Sequence, residues 1–202
     1  MLFRSSPEFA MLEMYWAYAD WRDMKALTQE LIQNAALAVA GSHKVTHHDG
    51  RISDLGGQWR EINFYDAISE KTGETVSPQS SFDDLKKIAQ KIGLKIDPKW
   101  IHGKLAEEIF EHVYKENLQT PTFVMGYPVD TSPLVREHRE TPGIVEKWDL
   151  YVDGFELATG YSELIDPVIQ RERLVEQAKL GAKGDLEAMQ VDEDFLRAME
   201  HR

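Results

Sequence analysis

The strongest constraint on the fold is a strand–turn–strand pattern in the last third of the chain. The runs EKWDLYV and FELATGY flank Asp153-Gly154, a dipeptide typical of two-residue β-hairpin turns. The alternation of strands and helices that marks βαβ units is missing around it, and neither GxGxxG nor GxxxxGK[ST] occurs. We therefore expect an antiparallel sheet, and neither a dinucleotide-binding nor a P-loop fold.

Other elements are predicted on both sides of this hairpin. The run EFAMLEMYW predicts a strand from residue 8, and Asp20 is the expected N-cap of a helix that reaches about Ala40. A second hairpin is predicted over 43–57, with a type I′ turn at Asp49-Gly50. The remaining predictions are helices at about 64–72, 82–92 and 103–116, a strand region at 120–131, and helices over 166–183 and 185–200. The fold class is thus α+β, an antiparallel sheet flanked by helices, in one domain of residues 1–202 with a small inserted α/β lobe at about 43–118.

Composition limits the kinds of function. The chain has no cysteine, which excludes thiolate metal sites and cysteine nucleophiles. Its formal charge of −12 suits phosphate backbones poorly, because their recognition needs clustered Lys and Arg. No stretch is long and apolar enough to span a membrane, so we expect no membrane partner. The absence of cysteine fits a protein of the reducing cytoplasm.

Glu13 is the clearest local anomaly. It is the only charge in FAMLEMYWAYA, and on a strand it shares a face with Phe9, Met11 and Tyr15. A carboxylate on an apolar face is costly unless it is paired. The residues leave two interpretations equally open: a pocket that binds a ligand cation, or an ion pair buried within the chain.

Glu156 and Glu163 form a second candidate pair. They lie seven residues apart, so a regular strand would point them to opposite faces, and a bulge or bend at Gly160 is needed to bring them together. Two convergent carboxylates would suit Mg²⁺, but the spacing alone favours two solvated acids. For His43, His47 and His48, a solvated hairpin is favoured over a zinc site.

Two segments resemble the class II lysyl-tRNA synthetase family, and its actinobacterial members in particular. SSPEFAMLEMY at 5–15 resembles the second half of the family's motif 2, and GFELATGYSEL at 154–164 resembles its later lysine-binding strand. PTFVMGYPVDTSPL at 121–134 and the helices at 166–177 and 184–201 are also similar to the family. The resemblance covers nearly all of residues 5–201 and implies a partial class II synthetase core.

The resemblance also implies site residues and substrates. It assigns ATP binding to Phe9, Met11 and Glu156, and Mg²⁺ binding to Glu156 and Glu163. It assigns lysine binding to five residues: Glu13, Tyr15, Thr159, Tyr161 and Glu163. In the implied reaction, the carboxylate of lysine attacks the α-phosphate of ATP to give lysyl-adenylate and pyrophosphate, and the lysine is then transferred to tRNA(Lys).

The chain departs from the family's pattern in several places. Motif 1, the anticodon-binding domain, most of the motif 2 loop and motif 3 find no counterpart, and Arg4 is the one candidate remnant of the phosphate-binding arginine of motif 2. We therefore expect impaired aminoacylation by this chain alone, and self-association through apolar faces that the missing strands would cover. The alternatives are an inactive synthetase paralogue acting as a lysine-binding or protein-interaction module, and a related ligase that loads a lysine-like acid onto a protein.

Overall fold

A computed structural model describes residues 8–182 and 188–201. The described chain contains six α-helices and six strands. The helices are α1 (Trp21–Ala40), α2 (Phe64–Thr72), α3 (Phe82–Lys91), α4 (His102–Tyr114), α5 (Pro167–Ala182) and α6 (Glu193–Met199), with a 3₁₀ turn at Lys115–Asn117. The strands are β1 (Lys44–Thr46), β2 (Ile52–Asp54), β3 (Arg60–Asn63), β4 (Thr122–Met125), β5 (Lys147–Val152) and β6 (Phe155–Tyr161).

The main sheet is mixed rather than purely antiparallel. Its strand order is β3-β4-β5-β6, and β1 and β2 form a separate antiparallel pair. β4, β5 and β6 are antiparallel neighbours, as expected, but β3 lies parallel to β4. A parallel pair needs a long crossover, and helices α2 to α4 supply it between β3 and β4. The α+β class is confirmed, and the expectation of an all-antiparallel sheet is corrected by this strand.

Helices cover both faces of the sheet. On one face, Phe123, Trp148 and Leu150 pack with Trp21 of α1 and with Trp59. On the other face, the core is formed by the buried residues of α2, α3 and α4 together with the alternate positions of the strands, including Val124 and Tyr151. β5 is therefore buried on both sides, which fixes its register and that of the neighbouring β6.

The strand predicted from residue 8 is not present. Residues 8–20 contain no strand, and Phe9, Met11 and Tyr15 are 78%, 77% and 80% exposed. A strand needs a partner for its backbone N–H and C=O groups, and in the described part of the chain β6 pairs with β5 alone. The apolar run is therefore an irregular segment that leads into α1.

The two Asp-Gly turns differ. Asp153 and Gly154 have φ of 53° and 74°, the two left-handed residues of a type I′ turn, so that hairpin is confirmed. At the first hairpin only Gly50 has positive φ (85°), and its N–H donates to the His47 carbonyl at 3.0 Å. This is a type I turn followed by a glycine bulge, so the predicted type I′ turn at Asp49-Gly50 is wrong.

Most predicted helices are confirmed, with small shifts at their ends. Asp20 caps α1 through a capping box with Asp23, and Asn63 and Ser81 cap α2 and α3. The predicted helix over 185–200 is confirmed only for α6, since residues 188–192 are not helical and 185–187 lie outside the described residues. The predicted end of α5 at Lys183 and Gly184 also lies outside them.

The proposed insert at about 43–118 stays a prediction. That segment contributes β3 to the main sheet, and its helices pack on the sheet through a shared apolar cluster. Within the described residues, no helix is both long and apolar enough to cross a membrane.

Candidate functional site

A β-bulge decides which side chains of β6 share a face. Tyr151 pairs with Glu156 and Leu150 pairs with Ala158, so Leu157 is the extra residue. Beyond it, Thr159 lies opposite Asp149, and Tyr161 lies opposite Lys147. Glu156, Thr159 and Tyr161 consequently lie on one face, the face covered by α4. The sequence predicted such an irregularity at Gly160, but it lies three residues earlier.

Gly160 has a different purpose. A Cβ on it would lie 2.2 Å from Cζ2 of Trp148, too close for any side chain. The Trp148 ring is therefore packed directly against the β6 backbone. Its Nε1 donates to the Trp21 carbonyl at 2.7 Å, and the Trp21 N–H donates to Ser162 Oγ at 3.2 Å. These contacts hold the start of α1, and with it the segment 8–20, beside the end of β6.

The first cluster of site residues lies at that end of β6. The Tyr15 hydroxyl donates to Glu13 Oε1 at 3.0 Å. This bond to Glu13 is the main reason that the pKa of Tyr15 is raised, and Glu163 adds to the effect. Burial raises the pKa of Tyr161, and the charges of Glu163 and Glu13 raise it further. Four residues from two distant segments are thus within electrostatic reach of one another, two of them carboxylates; we name them the β6-end cluster.

The second cluster lies nearer the turn and includes a residue that the sequence analysis missed. Glu156 reaches solvent, but the protein packed on one side of it raises its pKa by burial, and the charge of Asp149 raises it further. Lys147 and a hydrogen bond from Tyr151 act in the opposite direction. Asp149 is 3% exposed and lies 3.0 Å from the Lys147 ammonium through Oδ2. We name Lys147, Asp149, Tyr151 and Glu156 the turn-end cluster.

Asp149 has a buried oxygen that is only weakly satisfied. Its Oδ1 makes no hydrogen bond of ordinary geometry within the described chain, although the Tyr127 hydroxyl interacts with the Asp149 carboxylate. A buried carboxylate oxygen with so weak a partner is costly. With Glu156 on the neighbouring strand and the same face, it fits a hard divalent cation whose other ligands are phosphate oxygens and water. The hairpin itself could have revealed the pair, because a two-residue turn places Glu156 opposite Tyr151, two positions from Asp149.

The structure does not bring together all the residues that the resemblance implies. Glu156 is influenced by the turn-end cluster and Glu111, whereas Glu163 acts on Tyr15 and Tyr161 at the other end of β6. No group of three or more His, Asp or Glu side chains within 8–182 and 188–201 is arranged to hold a metal. Phe9 and Met11 are solvent-exposed, and Thr159 donates to the Trp148 carbonyl at 3.3 Å. Arg4 lies outside the described residues.

His47 takes part in a contact that superficially resembles a catalytic triad. Its Nε2 lies 2.6 Å from Ser53 Oγ and 3.2 Å from Asp153 Oδ2, and Ser53 also donates to Asp153. In a nucleophilic triad the acid and the hydroxyl bind opposite ring nitrogens, but here both approach Nε2. The contact therefore ties the β1–β2 hairpin to the β5–β6 turn.

Comparison with known proteins defines the class. The model of the class II tRNA synthetases for Asp, Lys and Asn matches residues 3–202, and the chain belongs to this family of aminoacyl-tRNA synthetases. Within it, the similar curated proteins include lysine–tRNA ligases. That of Kineococcus radiotolerans is 56% identical over 197 residues, which cover 97% of this chain and 39% of that protein. That of Mycobacterium bovis BCG is 48% identical over 202 residues, 97% of this chain and 40% of that protein.

A further relative has a broader role. The lysylphosphatidylglycerol biosynthesis bifunctional protein LysX of Mycobacterium avium is 45% identical over 203 residues, 98% of this chain and 17% of that protein. The chain thus spans about 40% of the length of the ligases it matches.

Proposed function

We infer that this chain is part of a lysine–tRNA ligase catalytic domain, which activates lysine with ATP and Mg²⁺ and transfers it to tRNA(Lys). The observation that carries the proposal is the β6-end cluster, where Glu13 and Tyr15 lie beside Tyr161 and Glu163. These residues are far apart in the sequence, and their convergence has no obvious need in folding, since Glu13 and Tyr15 are exposed.

The β6-end cluster supplies the chemistry for a lysine side chain. Glu13 and Glu163 offer negative charge to the ε-ammonium, and the tyrosine rings offer surface along the aliphatic part of the side chain. A site with two carboxylates rejects neutral analogues, because the charges that face the ammonium would otherwise be left unpaired. Thr159, two positions before Tyr161 on the same face, completes the proposed lysine-binding set.

The turn-end cluster is the proposed place for Mg²⁺ and the ATP phosphates. Asp149 and Glu156 would hold the metal, with Glu163 reaching it only through water or substrate. A bound metal would neutralise phosphate charge while the lysine carboxylate attacks the α-phosphate and pyrophosphate leaves. Phe9 and Met11, both exposed, are the proposed contacts of the adenine ring. The residues of this chain thus bind and orient the reactants, and no side chain is assigned a covalent role.

Activity is expected to be weak in this chain by itself. No described residue is assigned as a phosphate-binding arginine. Because losing one charge-stabilising donor lowers the rate by a factor of about 10²–10³, catalysis should be slow. The acidic chain also leaves most tRNA phosphate contacts to other parts of a longer protein. Such a protein would work with the translation machinery in the cytoplasm. The rival proposal is a lysine-binding or protein-interaction module without catalysis.

Two measurements test these proposals. Calorimetry with lysine should show binding that Glu13→Gln weakens by at least about tenfold, the loss expected for one close charge partner. Glu30→Gln, an exposed change of the same kind on α1, should leave it unchanged. Lysine-dependent ATP–pyrophosphate exchange then separates the rivals: exchange supports the ligase, and lysine binding without exchange supports the module. Absence of lysine binding in folded protein would refute the ligase and the lysine-binding module, and would leave only the protein-interaction role.

Self-association remains part of the proposal. The segment 8–18 exposes a row of large apolar side chains: Phe9, Met11, Leu12, Met14, Tyr15, Trp16 and Tyr18. Apolar patches of this kind mark contact surfaces. Sedimentation velocity over a range of concentrations should show reversible association, and a single monomeric species at all concentrations would contradict it.

A further inference from the structure

Lys147 occupies the centre of the turn-end cluster. Its ammonium lies 3.0 Å from Asp149 Oδ2 and 4.5 Å from the centre of the Tyr127 ring. The side chains of Lys147 and Asp149 are 22% and 4% exposed. The ammonium is therefore held between a buried carboxylate and the face of an aromatic ring, an arrangement that strengthens a cation's interactions because little water competes.

The same ammonium acts on two more carboxyl groups. It lowers the pKa of Glu156 on β6 and the pKa of Glu107 on α4, against the upward effect of burial on both. Lys147 thus compensates charge on Asp149, Glu156 and Glu107 together. Without it, the buried Asp149 would lose the ammonium that lies 3.0 Å from its Oδ2.

A divalent cation at this site needs the same oxygens. We propose that Lys147 is a built-in counter-ion, which neutralises Asp149 in the metal-free protein and competes with a divalent cation for that carboxylate. The inference rests on the proposed function, which assigns the metal to Asp149 and Glu156. Like charges cannot occupy one carboxylate at short range without repulsion, so metal binding moves the ammonium away from Asp149 Oδ2.

The lysine side chain can make this move. Its four-carbon stem is flexible and its ammonium accepts many geometries, unlike the planar fork of arginine. Glu107 is a second carboxylate within its electrostatic reach and lies on α4, outside the β5–β6 pair. Lys147 therefore limits how tightly the site binds a metal. When neither metal nor nucleotide is bound, it reduces the repulsion between the carboxylates on this face.

Mn²⁺ binding to the chain tests the inference without relying on catalysis. Free Mn²⁺ is measured by electron paramagnetic resonance during titration of the wild type, Lys147→Met and Lys147→Arg. Lys87→Met is the matched control, because Lys87 is a 74% exposed lysine on α3 that pairs with Asp84 on the surface. It changes the net charge by the same amount, far from the site.

The expected result is selective for charge at position 147. Lys147→Met should bind Mn²⁺ at least about tenfold more tightly than the wild type, Lys147→Arg should bind it no more tightly than the wild type, and Lys87→Met should stay within about threefold. Metal-free Lys147→Met should melt at a lower temperature than the wild type, and Mn²⁺ should restore its melting temperature. Equal or weaker Mn²⁺ binding by Lys147→Met would overturn the inference.

The outcome also separates this inference from the proposed function. If the wild type binds Mn²⁺ and Asp149→Asn abolishes binding, but Lys147→Met has no effect, the metal site stands and the counter-ion role is refuted. If neither the wild type nor Lys147→Met binds Mn²⁺, both fail. If Lys147→Met does not fold, an unchanged affinity in Lys147→Gln serves as the refuting result.

Discussion

Replacing Gly160 with alanine should destabilise the protein more than any ordinary change in an edge strand. The new Cβ would lie 2.2, 2.7 and 2.8 Å from Cζ2, Cε2 and Cη2 of Trp148. These atoms belong to a rigid indole that is 1% exposed and packed against Trp21 and Phe123. The ring cannot rotate away, because its Nε1 is bound to the Trp21 carbonyl at 2.7 Å.

The expected cost follows from these contacts. Overpacking a close-packed core costs about 1–3 kcal/mol. Stretching or losing the indole hydrogen bond adds about 0.5–1.5 kcal/mol. Alanine restricts the unfolded chain and returns about 0.4–1 kcal/mol of this. We therefore expect Gly160→Ala to lower the free energy of unfolding by about 2 kcal/mol, with a larger loss for valine.

Urea unfolding followed by tryptophan fluorescence and by far-UV circular dichroism measures this loss. Gly181→Ala is the matched control, since it lies in α5 and, among the described residues, its Cβ would meet Gln190 Nε2 at 3.3 Å and the Ala188 Cβ at 3.5 Å. That change should leave stability unchanged or raise it by up to about 1 kcal/mol, through helix propensity. If Gly160→Ala is as stable as the wild type, Trp148 is not packed on the β6 backbone as described.

Three further predictions concern charge and capping. Asp20→Ala should cost about 1 kcal/mol in urea unfolding, because the α1 capping box is lost; an unchanged midpoint would contradict it. Burial raises the pKa of Glu107 to about 7 from 4.5, so the folded state binds the proton more tightly and stability falls as pH rises from about 4.5 to 7. Glu107→Gln should flatten this part of the pH–stability curve, and a curve of wild-type shape would count against it. Tyr151→Phe should raise the pKa of Glu156, because it removes the Tyr151 hydrogen bond that lowers this pKa. Carboxyl ¹³C NMR measures the change, and Tyr65→Phe is the control.

Local chemistry explains which elements could be predicted from the sequence. Asp20, Asn63 and Ser81 each accept hydrogen bonds from backbone N–H groups of their own first turn, so their helices begin where the residue type indicates. The Asp153-Gly154 turn is likewise a property of two residues. These features need no knowledge of distant parts of the chain.

Features that depend on distant partners were predicted less well. The apolar run from residue 8 has the composition of a strand. A strand also needs a partner strand to pair with, and composition does not reveal whether one is available. β3 was missed because its four residues, REIN, show little apolar character, and its pairing with β4 follows from the crossover through α2 to α4. At Asp49-Gly50, the same dipeptide forms a different turn because the loop is longer.

The geometry of the candidate site depends on one extra residue in β6. In a regular hairpin from the type I′ turn, Glu156 would still lie opposite Tyr151, but Tyr161 would lie opposite Glu146, on the face of Trp148 and α1. The bulge at Leu157 shifts the later pairs by one, so Tyr161 lies opposite Lys147 instead. The turn-end cluster and the β6-end cluster share a face for this reason. The resemblance assigned Glu156 to ATP and Mg²⁺ and Tyr161 to lysine. Because of the bulge, β6 carries both side chains on the same face.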